Sequence, residues 1–356
     1  MTLDRIALTA FRNHSATTLK GARQFNLLVG ENGAGKTNVL EALSLFAPGR
    51  GLRRAPLPEI AGNTGPGGFS VGATLAADGG EVRLGTLTDP ANPSRRKVRI
   101  NGAEASAVAL GEWLAVSWLT PAMDGLFTDS AGARRRWLDR MAVALDSGHA
   151  RHAARYEAAL RERNRLLAGE DTPDPLWLDG IETQMAEAGS ALADGRARLV
   201  ASLADSLADL PEEPFARPNL ALDSGGPVKP DSLRVARLRD RAAGRTLEGP
   251  HRADLGVTMA GKGQPATSCS TGEQKAMLIA VTLVHAELAS RGRPAVLLLD
   301  EVAAHLDPVR REALYGRLAD SGTQVWFTGT ETAPFDPILG EAAVWRVSGG
   351  SATRVG

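Results

Sequence analysis

Two groups of residues in this sequence could carry phosphate chemistry. The first is Gly30-Glu31-Asn32-Gly33-Ala34-Gly35-Lys36-Thr37, fixed glycines followed by Lys and Thr, which is the pattern of a phosphate-binding loop. Glycines let such a backbone curl until its N–H groups point inward, and a helix N-terminus behind it adds partial positive charge where phosphates sit. Lys36 is placed to reach the β and γ phosphates of ATP, and the Thr37 hydroxyl to ligate Mg²⁺. The expected nucleotide-binding set is Gly30, Glu31, Asn32, Gly33, Ala34, Gly35, Lys36, Thr37 and Asn38. The second group is Asp300-Glu301, adjacent carboxylates at the end of the apolar run Ala295–Leu299. Mg²⁺ takes near-octahedral oxygen and keeps several waters, so one carboxylate suffices to hold it. Asp300 fits that role, and Glu301 fits that of polarising an attacking water, with Lys36 beside it in the catalytic pair.

Both groups need a strand to deliver them. Phe25-Asn26-Leu27-Leu28-Val29 is a short apolar run of buried-strand type ahead of the loop. Behind it, Val39, Leu40, Leu43 and Phe46 recur on one helical face, and Pro48 ends the helix. A third stretch, Ser270-Thr271-Gly272-Glu273-Gln274, opens an apolar helix expected over 272–289; a Ser there is ordinarily a cap.

Along the chain, residues 3 to 11 read as a strand and Arg12-Asn13-His14 as the turn out of it, with a loop at 62–68. Segments 69–75, 81–88 and 95–100 read as an antiparallel meander broken at Asp78-Gly79-Gly80 and at residues 89–93. A short helix over 106–116 and a strand over 116–121 follow. From about residue 130 to 210 helix formers dominate, and Ile181, Met185, Ala188, Leu192, Leu199, Leu203 and Leu210 recur at steps of three, four or seven, the seam of a helix packed on a helix. A helix over 230–243 comes next, then strands at 254–259, 295–299 and 324–327 and a helix at 308–319. The predicted architecture is α/β, a P-loop nucleotide-binding head made from both ends of the chain (1–116 and 246–356) around a helical insertion (117–245).

Composition limits the alternatives. The chain has 356 residues, 43% hydrophobic and 23% charged, with Lys+Arg 41 against Asp+Glu 41, so it is not coated in basic charge. A single cysteine, Cys269, excludes an intrachain disulfide and fits a cytoplasmic location. The N-terminus lacks a basic segment followed by an apolar core, and no run of about 18 apolar residues is present, so neither a signal peptide nor a membrane span is expected.

The order of motifs resembles that of ATP-binding-cassette (ABC) ATPases: the phosphate loop, then Ser270–Gln274 as the signature, then Asp300-Glu301, then Ala304-His305-Leu306-Asp307 as the loop that crosses a dimer interface. The resemblance implies that Ser270 and Gly272 contact the γ-phosphate held by Lys36 of a second copy, with Asp307 at the same interface. Two points depart from the family. No Gln lies between Gln24 and Gln184, leaving Thr120 to Asp124 in that loop, and the last core strand runs into Thr328-Gly329-Thr330 in place of a His, so Thr328 or Thr330 offers a hydroxyl there.

A finer resemblance is to the RecF family, on Phe11-Arg12-Asn13, Arg134-Arg135-Arg136-Trp137-Leu138-Asp139, Tyr156 with Leu160–Leu167, and Gly249-Pro250-His251-Arg252. SMC proteins look similar in their heads but separate the two halves by hundreds of residues of coiled coil, which this chain cannot contain. The RecF resemblance implies an ATP-dependent homodimer with weak DNA-stimulated ATPase activity. It also implies binding to duplex DNA near single-strand gaps and action with RecR and RecO to load RecA. Arg53, Arg54, Arg95, Arg96, Arg134 and Arg135 are the candidate DNA contacts, because arginines on phosphates give affinity without sequence readout. The ATPase subunit of a membrane transporter is the alternative, and the missing Gln and His weigh against it.

Overall fold

Leu3, Ile6, Leu8 and Phe11 are buried along Thr2–Phe11 (β1), which fixes one face of the first sheet on the core. The chain turns at Arg12-Asn13 and returns antiparallel as His14–Lys20 (β2). That strand has no counterpart in the sequence reading, since His-Ser-Ala-Thr-Thr-Leu-Lys holds one large aliphatic residue and its alternation is faint. Phe25–Val29 (β3) enters the phosphate loop and Lys36–Ser44 (α1) leaves it. Leu57–Ile60 (α2), Ser70–Ala77 (β4), Gly80–Asp89 (β5), Asn92–Ile100 (β6) and Ala103–Ala105 (β7) follow, then Ala107–Trp113 (α3) and Ala115–Leu119 (β8). Next come Ala131–Leu145 (α4), His149–Leu167 (α5), Pro175–Ala208 (α6), Pro218–Asp223 (β9), Pro230–Ala242 (α7), Asp254–Met259 (β10), Gln264–Pro265 (β11) and Thr271–Ala289 (α8). Ala295–Leu299 (β12), Pro308–Asp320 (α9), Gln324–Gly329 (β13), Ala343–Ser348 (β14) and Ser351–Arg354 (β15) end the chain. The computed structural model describes residues 2–62, 67–77, 80–169, 173–226 and 228–356, so the expected turn at Asp78-Gly79 and most of the expected 62–68 loop lie outside the described residues.

The chain forms two units, residues 1–124 with 281–356, and residues 125–280. The first contains two six-stranded sheets, an antiparallel one in the order β2-β1-β4-β5-β6-β7 and one in the order β15-β14-β3-β13-β12-β8. The second sheet is parallel except for the β14–β15 hairpin. Val39, Leu40 and Leu43 of α1, with Phe46 just past its end, pack between these sheets, in a cluster with Leu8, Phe11, Leu28 and Trp326. Trp326 and Trp345 stack there with centroids 5.3 Å apart.

The second unit holds α4 to α7 and a small antiparallel sheet, β11-β10-β9. Tyr156 and Ala159 of α5 meet Ile181, Met185, Ala188 and Leu192 of α6, the apolar seam read from the periodicity. Because β10 pairs with β9, residues 254–259 belong to this unit and not to the head, and because β8 pairs with β12, residues 115–119 belong to the head. The expected boundaries at 116/117 and 245/246 therefore differ from the contact boundaries at 124/125 and 280/281.

Polar groups buried in the second unit give Asp139, Tyr156, Arg163 and His251, all in stretches that carry the family resemblance, a structural role. Arg163, fully buried, donates to Glu182 (2.9 Å), Asp240 (2.7 Å), Thr246 (2.7 Å) and the Leu233 carbonyl (2.8 Å). Arg196 grips Asp139 through two hydrogen bonds of 2.7 and 2.8 Å and the Pro250 carbonyl at 2.6 Å. His251 Nε2 lies 3.0 Å from the Thr246 carbonyl, which makes it the protonated nitrogen and leaves Nδ1 to accept from the Tyr156 hydroxyl at 2.7 Å. These groups tie three helices to the 249–252 turn, and their polarity is tolerated inside because each finds a partner.

Candidate nucleotide-binding site

The glycines of the loop are required for different reasons. Gly33 and Gly35 have φ of +82 and +115, a region that suits glycine. Gly30 is needed for close approach, since a Cβ there would stand 2.1 Å from the Val347 carbonyl oxygen. Lys36, 4% exposed, folds over this loop and donates from Nζ to the carbonyls of Gly30 (2.6 Å) and Glu31 (2.9 Å). An ammonium has three N–H donors, so one remains for an anion seated in the loop.

The turn between β1 and β2 braces the loop from behind. Asn13 Nδ2 donates to the Ala34 carbonyl (3.0 Å), Asn38 Nδ2 donates to Asn13 Oδ1 (2.7 Å), and a ring nitrogen of His14 lies 3.0 Å from the Gly35 carbonyl oxygen. Arg12 forks onto buried Glu41 of α1 with hydrogen bonds of 2.9 and 2.7 Å. Phe11-Arg12-Asn13 thus holds the loop and its helix in place, a role that spacing alone did not disclose.

At the opposite side of the loop stand the two carboxylates. Asp300 Oδ1 accepts hydrogen bonds from the Thr37 hydroxyl at 2.9 Å and the Thr328 hydroxyl at 2.8 Å. The parallel register that pairs Leu299 with Phe327 brings the next residues, Asp300 and Thr328, abreast. Glu301 follows in a left-handed conformation, φ +54, unusual for a residue with a side chain, and its backbone N–H donates to Thr328 Oγ1 at 2.9 Å. Asp300 N–H is itself anchored on the Leu119 carbonyl at 3.0 Å, which sets the buried Thr120 beside the acidic turn. Among the described residues no group of three or more His, Cys, Asp or Glu could form a metal cage. A hydroxyl and one carboxylate facing a phosphate cradle is the donor set that suits Mg²⁺ accompanied by substrate phosphates, and not zinc or calcium. The residues present therefore fit Mg-ATP.

Ser270 and Glu273 form a capping box on α8. Glu273 Oε2 accepts from Ser270 N–H (2.8 Å) and from its hydroxyl (2.9 Å), and Glu273 N–H donates back to Ser270 Oγ at 3.3 Å. Lys262 reaches Glu273 at 2.5 Å, and with the Ser270 bonds holds the Glu273 carboxyl down to about 2. No atom would obstruct a Cβ at Gly272, so the backbone there is open to a ligand or partner. Asp307 caps α9, accepting from Arg310 N–H at 2.9 Å.

The candidate DNA arginines divide. Arg53 donates to Asn38 (2.6 Å) and Glu41 (2.9 Å), beside the phosphate loop. Arg96 is spent on the chain that leaves α1, donating to the carbonyls of Leu45 and Gly49 and to Thr86 Oγ1, and burial pushes its guanidinium down to about 10. Arg134 forks onto Asp254 with two bonds of 2.7 Å, and Arg135 donates to the Ala253 carbonyl at 2.6 Å, both stapling α4 to the start of β10. Those four side chains have structural partners, whereas Arg54 and Arg95 are exposed. Spacing shows where arginines occur but not which carbonyls and carboxylates the fold sets beside them. Of the two threonines, Thr328 lies within β13, buried against Asp300, and Thr330, just past the strand, is exposed.

Fold and site together define an ABC-type P-loop head of the kind found in SMC proteins, with a helical lobe inserted in it. A family model described as the RecF/RecN/SMC N-terminal domain matches residues 2–333. DNA replication and repair protein RecF of Mesorhizobium japonicum is 47% identical over 367 residues, covering 98% of this chain and 97% of its own. The RecF of Brucella suis is 44% identical over 372 residues, 100% and 97% covered. The chain belongs to the RecF family. Among solved structures, the recombination mediator protein RecF-ATP of the RecFOR pathway superposes with a TM-score of 0.85 at 22% identity, over 100% of this chain and 98% of that one. The Smc head of Pyrococcus furiosus bound to the C-terminal domain of ScpA gives 0.55 at 15% identity, with 99% and 96% covered. No described helix is long and apolar enough to cross a membrane.

Proposed function

We propose that this protein is an ATP-dependent DNA-binding protein of replication and recombinational repair. The Thr37–Asp300 hydrogen bond of 2.9 Å carries the reading, because it joins the phosphate loop to the acidic strand. The full-length relatives named as DNA replication and repair proteins set the biological context. Mg-ATP supplies the transferable phosphoryl group and the charge that its metal neutralises. The chain does the rest. Loop N–H groups and Lys36 hold the phosphates, Thr37 and Asp300 orient the metal, and Glu301 polarises a water for attack.

Two copies complete each site, with Ser270 and Gly272 of one chain meeting the γ-phosphate held by the other, and Asp307 lining the contact. The closed dimer holds duplex DNA near single-strand gaps, acts with RecR and RecO to load RecA, and is released by slow hydrolysis in the cytoplasm. Filter binding of duplex, single-stranded and gapped DNA, with and without ATP over a salt series, tests this reading. ATP should strengthen binding most for gapped duplex. Equal binding of all three DNAs, or no response to ATP, overturns it.

A further inference from the structure

Thr328 belongs neither to the phosphate loop nor to the acidic pair, yet its hydroxyl touches both carboxylate-bearing residues. It is 1% exposed on β13, the strand between the one that enters the loop and the one that ends in Asp300. Its proton goes to Asp300 Oδ1 at 2.8 Å, and its lone pair takes the Glu301 N–H at 2.9 Å. The next residue, Gly329, accepts from Gly30 N–H at 3.2 Å, so the end of this strand ties the loop and the acidic turn together. With Thr37 and Thr328 both on Oδ1, Asp300 Oδ2 keeps no hydrogen-bond partner among the described residues. The Glu301 backbone is held at φ +54, where a residue with a side chain needs support.

We propose that Thr328 is a positioning residue for Mg-ATP: its one hydroxyl turns the free Asp300 oxygen toward the metal and locks Glu301 in the left-handed conformation that aims its carboxylate. This rests on the ATPase reading above. The hydroxyl offered in place of the family's His is thus already engaged at both its donor and acceptor sides.

The test compares Thr328→Val, which keeps the shape and loses the hydroxyl, with Thr328→Ser, which keeps the hydroxyl. Two quantities are measured on full-length protein: the affinity for ATPγS with and without Mg²⁺, and kcat with KM for ATP. In Thr328→Val the Mg²⁺-dependent gain in ATPγS affinity should shrink, and kcat should fall, each by about 10–100-fold, with Mg²⁺-free affinity unchanged. Thr328→Ser should restore both to within about threefold. A Val variant matching wild type in both quantities overturns the inference, as does a Ser variant as impaired as Val or an equal loss of Mg²⁺-free binding. The last two outcomes would assign Thr328 to packing alone. Wild-type protein that binds ATPγS without any Mg²⁺ effect and hydrolyses no ATP sinks the ATPase reading itself, a result distinguishable from a silent Val variant.

Discussion

Arg163 illustrates how a single buried charge is made tolerable. It has no exposure, and its guanidinium meets two carboxylates, a hydroxyl and a carbonyl at 2.7 to 2.9 Å. Removing it takes from buried Asp240 its close cationic partner and leaves Glu182 with Arg237 alone, so Arg163→Ala should cost about 3–5 kcal/mol in urea unfolding. A loss below about 1 kcal/mol would show that water replaces the arginine at little cost. His251 makes a second residue-scale prediction. Burial lowers its imidazole below the ordinary 6.5, and Nδ1 must stay unprotonated to accept from Tyr156. As pH falls the unfolded chain takes up this proton first, so stability is complete above about 6.5 and is lost progressively toward the folded-state value. Burial lowers the His14 imidazole too, in the same direction. The wild-type Tm should therefore fall between about pH 7.5 and about pH 5.5, and His251→Gln should start lower but show a flatter dependence. An unchanged slope in that variant would exclude His251 as a source of it.

At the scale of elements, the phosphate-loop helix and the chain just beyond it are held by side chains from elsewhere. Arg12 and Arg53 converge on Glu41 within it, and Arg96 of β6 donates to the carbonyls of the chain just beyond it. A buried guanidinium on orphan carbonyls at a helix end satisfies acceptors that the helix leaves open. Arg96→Ala should destabilise the protein by about 1–3 kcal/mol in thermal or urea unfolding, and affect DNA binding only through the fraction folded. Exposed Arg95 is the contrast on the same strand. Arg95→Ala should leave stability within about 0.5 kcal/mol and reduce the salt dependence of duplex binding by about one charge. If Arg96→Ala abolishes DNA binding while leaving the Tm intact, its employment in the fold is not its function.

On the scale of the whole molecule, each chain carries both a phosphate loop and a capped Ser270–Gln274 segment, the two halves of the composite site proposed above. In sedimentation velocity the wild type should move to a dimer on adding ATPγS. Ser270→Arg should remain monomeric while its nucleotide affinity stays within about threefold. Nucleotide binding with no change in sedimentation of the wild type would sink the two-copy site. Sequence alone determined much of this protein. Fixed glycines before Lys36, apolar runs at 25–29, 295–299 and 324–327, and a heptad-like seam along 181–203 are local patterns, and local patterns specify local elements. The phosphate-loop pattern at Gly30 to Thr37 and the acidic pair Asp300-Glu301 were legible for that reason. What only the tertiary structure decided depends on strand order and register. Residues 254–259 joined the helical unit because β10 pairs with β9, and Thr328 reached Asp300 because β13 lies parallel beside β12 in one register. Arg96, Arg134 and Arg135 turned inward to carbonyls and carboxylates 47 to 120 residues away in the chain. Such pairings join residues far apart in sequence, and no periodicity within either segment encodes its partner.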